Sequence, residues 1–301
     1  MNLRAWVWIS AALLASFPAL AADAHPALPF PPGGKPLVVT SFLPAQSIAL
    51  NIAGDRAQVT SLSGVAGGAH DAQLTPQDMR QIGKARLILV NGLGLESWLA
   101  PALRGLPSDH QPKVVRIGES PGIVPLKSKV GDGWNPHVWL DPRYMIAAVS
   151  NVVEAFCEID PAYAETYRQH GVAYVERLNR LDESIAKQLA PVKGRGFATL
   201  HDAFPYLVRR YDLSLVGVIE EVAEVEPSAK HLSELHHAIR ETKARAVFSE
   251  KGSSSRLASQ IAADVRLRTG ELDALEVGDP NPKAYEEGML ANAKALLEGL
   301  K

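Results

Sequence analysis

The chain has 301 residues, with 31 Lys and Arg against 33 Asp and Glu, so its formal net charge is -2 at neutral pH. This balance argues against binding to nucleic acid, which requires clustered basic side chains. The single cysteine excludes an internal disulfide. Because Cys157 lies in an apolar helical run, we expect it to be a small buried hydrophobe.

The N-terminus has the pattern of a secretory signal peptide. Arg4 precedes an apolar run that ends in the small-x-small cleavage pattern "ALA". A proline interrupts this run before the roughly 20 apolar residues that a membrane span requires. We predict a signal peptide over 1–21, with cleavage after Ala22 as the alternative, and then a Pro- and Gly-rich leader over 22–36. The mature protein is therefore expected to be exported to the periplasm.

Short strand-like runs alternate with helical patterns along the rest of the chain. The first half contains "LVVT", "ARLILV", "KVVRI" and "HVWL", and the second contains "FATL", "LSLVGVI" and "ARAVF". Such alternation is typical of mostly parallel sheets with helical crossovers. We predict the α/β class, with an N-terminal α/β lobe over 37–157 and a C-terminal α/β lobe over 191–301.

One long amphipathic helix is predicted between these lobes. Asp160 and Pro161 have the residue types of an N-cap and a first helical position. Apolar residues follow at spacings of three, four or seven until Pro191 ends the run. We predict a rigid connecting helix over 158–190, about 45 Å long at about 1.5 Å per residue.

The two halves also contain similar blocks. "TPQDMRQIGKARLILVNG" and "PSAKHLSELHHAIRETKARAVFSEKG" share a proline at the helix start, the letters "KAR", a buried strand and a polar turn. This repetition favours two lobes of related topology.

Four polar residues stand at positions suited to a common site. His201 follows a predicted strand, Asp273 lies where another short strand ends, and His70 and His137 lie in loops. Ligands of open α/β sheets bind outside the carboxyl ends of the strands. The wide separations exclude a local structural zinc knot and fit one ligand from each of four βα units. Three imidazoles and a carboxylate suit tetrahedral Zn²⁺, although spacing alone leaves solvated surface histidines as the alternative.

Longer motifs carry a family resemblance from about Leu37 to the C-terminus. They are "GGAHDAQLTPQDMRQIGKARLILVNGLGLESWL", "NPHVWLDP", "LHDAFPYLVRRY", "VEPSAKHLSEL" and "VFSEKGSSSRLASQIA". The chain resembles the zinc- and manganese-binding solute-binding proteins of bacterial ABC importers. The resemblance implies two α/β lobes joined by one long helix, a metal buried between them and no enzymatic activity. The ligands that it implies are His70, His137, His201 and Asp273.

The chain departs from the family pattern at two places. The segment "LKSKVGDGWNPH" lacks the His-rich insertion that many zinc-specific members carry, and "ELDALE" stands where "LDPL"-like runs are usual. The short second match leaves Glu271 as an alternative to Asp273. Manganese-type members usually have a carboxylate where His201 stands, so the resemblance favours Zn²⁺. The short segment "LKSKVGDGWN" offers no histidine reservoir for further sites and so predicts one Zn²⁺ per chain.

The expected function is high-affinity capture of periplasmic Zn²⁺ by a monomer and its delivery to an ABC permease in the inner membrane. A periplasmic metal-delivering protein is a further candidate partner, and a manganese-binding importer component is an alternative. A zinc metallohydrolase is an alternative of another class, because the same histidines with an open metal position would activate water. The sequence has no "HEXXH" run to support it.

Three other acidic residues have two interpretations each. Asp141 precedes a proline, which favours a helix N-cap over a metal ligand. Asp202 is expected either to orient a ligand or to cap the following helix, and Glu250 either to hold an imidazole N–H or to be solvated.

Overall fold

The computed structural model describes most of the chain that follows the leader. The described residues are 34–62, 68–129, 132–220, 227–254 and 256–301. The predicted signal peptide and nearly all of the leader lie outside them. Within the described ranges, no helix combines the length and the apolar character that crossing a membrane requires.

The N-terminal half forms a four-stranded parallel sheet in the order β2-β1-β3-β4. Every residue of the "LILV" strand is buried, as expected for an inner strand with both faces covered. The strands are β1 (Leu37–Thr40), β2 (Gln58–Ser61), β3 (Leu87–Val90) and β4 (Lys113–Arg116), and the helices are α1 (Leu43–Ala53), α2 (Pro76–Ile82) and α3 (Leu99–Arg104).

The C-terminal half repeats this arrangement with the order β6-β5-β7-β8, also parallel. The inner strands pair as in the first sheet, so the prediction of two lobes of related topology is confirmed. The strands are β5 (Gly196–Thr199), β6 (Ser214–Val218), β7 (Ala246–Glu250) and β8 (Arg268–Leu272), and the helices are α6 (Pro205–Tyr211), α7 (Ala229–Glu241) and α8 (Arg256–Val265).

Two long helices, α4 (Pro142–Ile159) and α5 (Ala164–Leu189), pack against each other between the sheets. The predicted long helix joining the lobes is confirmed as α5, but its start differs from the prediction. A separate 3-10 turn covers Pro161–Tyr163, and the Asp160 side chain makes no capping bond. It accepts a hydrogen bond of 2.7 Å from the Tyr167 hydroxyl instead.

The largest apolar cluster among the described residues spans both lobes, and each lobe also has a smaller cluster of its own. A single buried cluster includes Val38 and Trp139 from the N-terminal half, Tyr174 on α5, and Phe248 from the C-terminal half. The last helix, α9 (Ala284–Leu300), packs on α5, α1 and β8 and so belongs to this shared core.

One local prediction from the sequence was wrong, and one strand was missed. The "HVWL" run is not a strand: Val138–Leu140 form a 3-10 turn in which the Leu140 N–H donates to the His137 carbonyl at 3.2 Å. Strand β2, whose residues are polar and only partly buried, was not predicted. Cys157 is buried on α4, as expected.

The segment after β8 is hydrogen-bonded to the N-terminal half. The Trp139 indole N–H donates to the Ala274 carbonyl at 2.7 Å, and the Leu43 N–H donates to the Glu276 carbonyl at 3.1 Å. The Tyr285 hydroxyl donates to the Trp139 carbonyl at 2.6 Å. These bonds hold a C-terminal segment against the lobe that carries two of the predicted histidines.

Candidate metal site

Three of the four predicted ligands meet between the sheets. His70 lies in the connection after β2, His201 lies just after β5, and His137 directly precedes the 3-10 turn that leads into α4. One possible ligand nitrogen from each of these histidines lies within 4.8 Å of the other two. The fold thus brings together side chains that are far apart in sequence.

The spacing of the imidazoles fits a single small cation. The Nε2 atoms of His70 and His137 are 3.3 Å apart. Two nitrogens bound tetrahedrally at about 2.0–2.1 Å from Zn²⁺ would be about 3.3 Å apart. The ring centroid of His201 lies 5.7 Å from that of His70 and 4.8 Å from that of His137. The three rings therefore converge on one point.

A carboxylate that was not predicted from the sequence lies beside two of these histidines. Oε1 of Glu276 lies 3.3 Å from Nε2 of His70 and 3.5 Å from Nε2 of His137. Its other oxygen accepts a hydrogen bond of 2.9 Å from the Ala69 N–H. Glu276 is therefore placed to supply an oxygen beside the imidazole nitrogens.

The backbone between β8 and Glu276 explains this position. Asn292 fixes Asp273 from both sides: its side chain accepts from the Asp273 N–H at 2.8 Å and donates to the Asp273 carbonyl at 2.7 Å. Leu275 then has a φ of 62°, a left-handed conformation that is uncommon for a residue with a branched side chain. The chain reverses there and directs the next residue, Glu276, toward the histidines.

The carboxylate of Asp273 has other partners. Oδ2 accepts from Lys251 Nζ at 2.9 Å, and Oδ1 accepts from the Leu275 N–H at 2.8 Å. Asp273 and Glu276 both lie outside the group of three histidines found among the described residues, but of the two only Glu276 contacts His70 and His137. The alternative, Glu271, is exposed on β8. Among the acidic residues of "ELDALE", the geometry favours the third, Glu276, as the carboxylate beside the histidines.

Two of the histidines are oriented by acceptors on the side of the ring away from the site. Nδ1 of His201 lies 3.1 Å from Oε2 of Glu250, and Nδ1 of His137 lies 3.0 Å from Oδ1 of Asn135. An acceptor at Nδ1 places the ring proton there and leaves Nε2 with a free lone pair. The Trp98 indole N–H donates to the Ala69 carbonyl at 2.8 Å and holds the loop that carries the third histidine.

Burial and neighbouring charge act differently on the two oriented histidines. Burial lowers the pKa of His137 to about 3, so this imidazole is neutral. Burial likewise lowers the pKa of His201, but the hydrogen bond and charge of Glu250 outweigh it, and the net shift is upward.

The other acidic candidates have different roles. Asp141 caps α4, since its Oδ1 accepts from the Arg143 N–H at 2.9 Å. Asp202 does not cap α6, whose N-cap makes no side-chain bond, and instead accepts from the Asn135 amide through its carbonyl. Glu250 holds an imidazole rather than being solvated.

Comparison with known proteins gives consistent matches over nearly the whole chain. Residues 38–299 match the sequence family described as "Zinc-uptake complex component A periplasmic". The iron-binding protein YfeA of Yersinia pestis is 34% identical over 236 residues, which cover 77% of this chain and 75% of that protein. The zinc-binding lipoprotein AdcA of Streptococcus pneumoniae is 28% identical over 277 residues, which cover 87% of this chain but only 55% of AdcA.

Solved structures show the same fold. A crystal structure of ZnuA superposes with a TM-score of 0.78 at 25% identity, over 89% of this chain and 100% of that one. A Mn-bound periplasmic metal binding protein from Candidatus Liberibacter asiaticus gives the same TM-score, identity and coverage. The predicted architecture of two α/β lobes and one long helix is thereby confirmed.

Proposed function

Because the chain belongs to the family of periplasmic zinc-uptake component A proteins, we propose that it captures Zn²⁺ in the periplasm and delivers it to a membrane permease. The family consists of solute-binding proteins and not enzymes. The chain is therefore a periplasmic metal-binding component of an ABC importer. Beyond this role, we propose which metal the chain carries and which residues bind it.

The proposed ligands are His70, His137, His201 and Glu276, with Glu276 in place of the carboxylate chosen from the sequence. The spacing of the imidazoles and the contacts of the Glu276 carboxylate support this set. Four protein ligands complete a tetrahedron and leave no position for a reactive water. The set therefore suits capture of one Zn²⁺ per chain.

The convergence of three imidazoles is the observation that carries the choice of zinc. Neutral imidazole is a borderline ligand that suits Zn²⁺, whereas Mn²⁺ stands at the weak end of the divalent series and favours oxygen ligands. His137 is neutral at physiological pH because it is buried. It therefore binds a cation without first losing a proton.

A manganese or iron cargo is the second candidate. One relative is named an iron-binding protein, and a structural neighbour is described as Mn-bound. The Glu276 carboxylate is a ligand type that both metals accept. Because the proposed set has three nitrogen ligands and only this one oxygen ligand, zinc is favoured.

Delivery requires a permease of the importer in the inner membrane, and a periplasmic metal-delivering protein is a second proposed partner. We propose that the chain acts as a monomer, because its metal site is assembled from one copy.

Competition dialysis against equal Zn²⁺ and Mn²⁺, followed by elemental analysis, tests the cargo. Retention of about one zinc per chain supports the proposal. Retained manganese would overturn it, and His201→Ala serves as the control that should retain neither metal at the same concentrations.

A further inference from the structure

Asn135 contacts groups from both lobes with all of its polar atoms. Its side-chain Oδ1 accepts from the His137 N–H at 3.1 Å and lies 3.0 Å from His137 Nδ1. Its Nδ2 donates to the Asp202 carbonyl at 2.7 Å and lies 3.3 Å from Asp202 Oδ2. Its own carbonyl accepts from the Tyr206 hydroxyl at 2.6 Å. The residue is 3% exposed, so water does not replace these partners.

The orientation of this amide is fixed by two groups whose roles are unambiguous. A backbone N–H only donates, so the atom facing the His137 N–H must be the amide oxygen. A backbone carbonyl only accepts, so the atom facing the Asp202 carbonyl must be the amide nitrogen. If the amide were flipped, its nitrogen would face the His137 N–H and its oxygen would face the Asp202 carbonyl. Donor would then face donor and acceptor would face acceptor.

This orientation determines the tautomer of His137. Since Oδ1 only accepts, the Nδ1 that lies 3.0 Å from it must carry the ring proton. Nε2 then keeps its lone pair and faces His70 and Glu276. The amide thus holds the imidazole in the form that binds a metal.

The same amide is held from the other lobe. Asp202 directly follows the proposed ligand His201, and Tyr206 lies on α6 of the C-terminal lobe. If the lobes separated, Nδ2 would lose its acceptor and the Asn135 side chain would be free to rotate. The orientation of a ligand in one lobe therefore depends on contact with the chain beside a ligand in the other.

We propose that Asn135 is a positioning residue that couples closure of the two lobes to the tautomer and orientation of His137. This inference rests on the proposed metal site and names the residue that links its halves. Aspartate at this position would keep the oxygen that faces His137 but would lose the N–H donated to the Asp202 carbonyl. Asparagine alone serves both contacts.

The first part of the test reads the tautomer in metal-free protein. Nitrogen-15 NMR of the imidazoles should show His137 as the Nδ1–H form in the wild type and as a mixture in Asn135→Ala. A single unchanged tautomer in a folded Asn135→Ala protein would overturn the proposal. No metal is present in this measurement, so a wild type that failed to bind zinc would contradict the proposed function and leave this result standing.

The second part measures zinc dissociation by transfer to a chelator. We expect Asn135→Asp to release zinc about 10–100-fold faster, in the range that outer hydrogen-bond partners of ligands contribute, although its Oδ1 is retained. Wild-type release from this variant would overturn the coupling between lobes.

Tyr206→Phe and Tyr144→Phe provide a matched pair that leaves the amide intact. Each removes a hydroxyl that anchors the same segment, but only the Tyr206 hydroxyl bonds Asn135, whereas that of Tyr144 bonds Val124. Faster zinc release only in Tyr206→Phe supports the proposal. Equal effects of the two variants would indicate general loosening of the segment and overturn it.

Discussion

Glu250 accepts a hydrogen bond from His201 across two neighbouring strands of the C-terminal sheet. Glu250 ends β7 and His201 follows β5, and these two strands pair in parallel, so their carboxyl ends lie side by side. The Oε2–Nδ1 distance is 3.1 Å. A carboxylate in this position raises the basicity of the imidazole and fixes the nitrogen that binds the metal.

Glu250→Gln should weaken zinc binding by about 10–100-fold, because the negative charge that supports the imidazole is lost. Calorimetric titration at neutral pH measures this change. The matched control is Glu271→Gln, which removes an exposed carboxylate from the adjacent strand β8 and should bind as the wild type does. A folded Glu250→Gln protein with wild-type affinity would show that the contact does not support the site.

Zinc affinity should fall as the pH is lowered through the pKa of His201. Burial tends to lower this pKa, but Glu250 raises it above the ordinary value of 6.5. Below this raised pKa the imidazole is protonated, which stabilises the metal-free protein and competes with the metal. Zinc binding should therefore begin to weaken above pH 6.5. Dissociation constants measured on both sides of pH 6.5 should show that zinc binding begins to weaken at a lower pH in Glu250→Gln than in the wild type. An affinity that does not depend on pH would contradict the assignment of His201.

Glu276→Gln and Asp273→Asn distinguish the two acidic candidates. Each substitution removes one charge from the same segment, but only Glu276 contacts the histidines. We expect Glu276→Gln to lose more affinity than the about 10–100-fold typical of outer residues, while Asp273→Asn keeps nearly all of it. Chelator competition measures both, and the reverse order would restore Asp273 as the ligand.

Asp182 on α5 should stabilise the arrangement of the two lobes. Its buried carboxylate accepts from Arg143 of α4 at 2.7 Å and from Arg210 of α6 at 2.8 Å. Asp182→Asn should lower the free energy of unfolding by about 1.5–3 kcal/mol, toward the lower end because both arginines are partly exposed to water. Urea unfolding measures this change in free energy. Substitution of the exposed neighbouring residue, Glu183→Gln, is the control.

The stabilisation by Asp182 should also depend on pH. Burial tends to raise the pKa of Asp182, but Arg210 and Arg143 outweigh it and lower the pKa below its ordinary value of 3.8. A depressed pKa gives a contribution that is present above pH 3.8 and is lost as the pH falls through the folded-state pKa. The difference in unfolding free energy between wild type and Asp182→Asn should therefore shrink in acid. A difference that stays constant there would contradict the ionised role of this carboxylate.

The sequence predicted the regular parts of the fold because they follow from periodicity. Runs such as "LILV" became buried inner strands, and the apolar spacing after Pro161 became α5. The "HVWL" run has strand-forming residues but forms a 3-10 turn. In this turn Trp139 is hydrogen-bonded to Ala274 and Tyr285, which lie far along the chain. Local propensity carries no information about such distant partners.

The carboxylate that contacts His70 and His137 was not predicted for a similar reason. The three histidines stand at loop positions that topology brings together, so the sequence indicated them. Glu276 reaches them only because Leu275 has a positive φ and Asn292 fixes Asp273. Neither a left-handed leucine nor the contact with α9 is evident from the letters "ELDALE".

Anomalous diffraction at the zinc absorption edge tests the central claim most directly. Crystals should be grown from protein loaded with equal amounts of Zn²⁺ and Mn²⁺. We predict one zinc peak per chain, at about 2.0–2.2 Å from nitrogens of His70, His137 and His201 and from an oxygen of Glu276. A manganese signal at this position, or a zinc peak that lacks these histidines as ligands, would contradict the account.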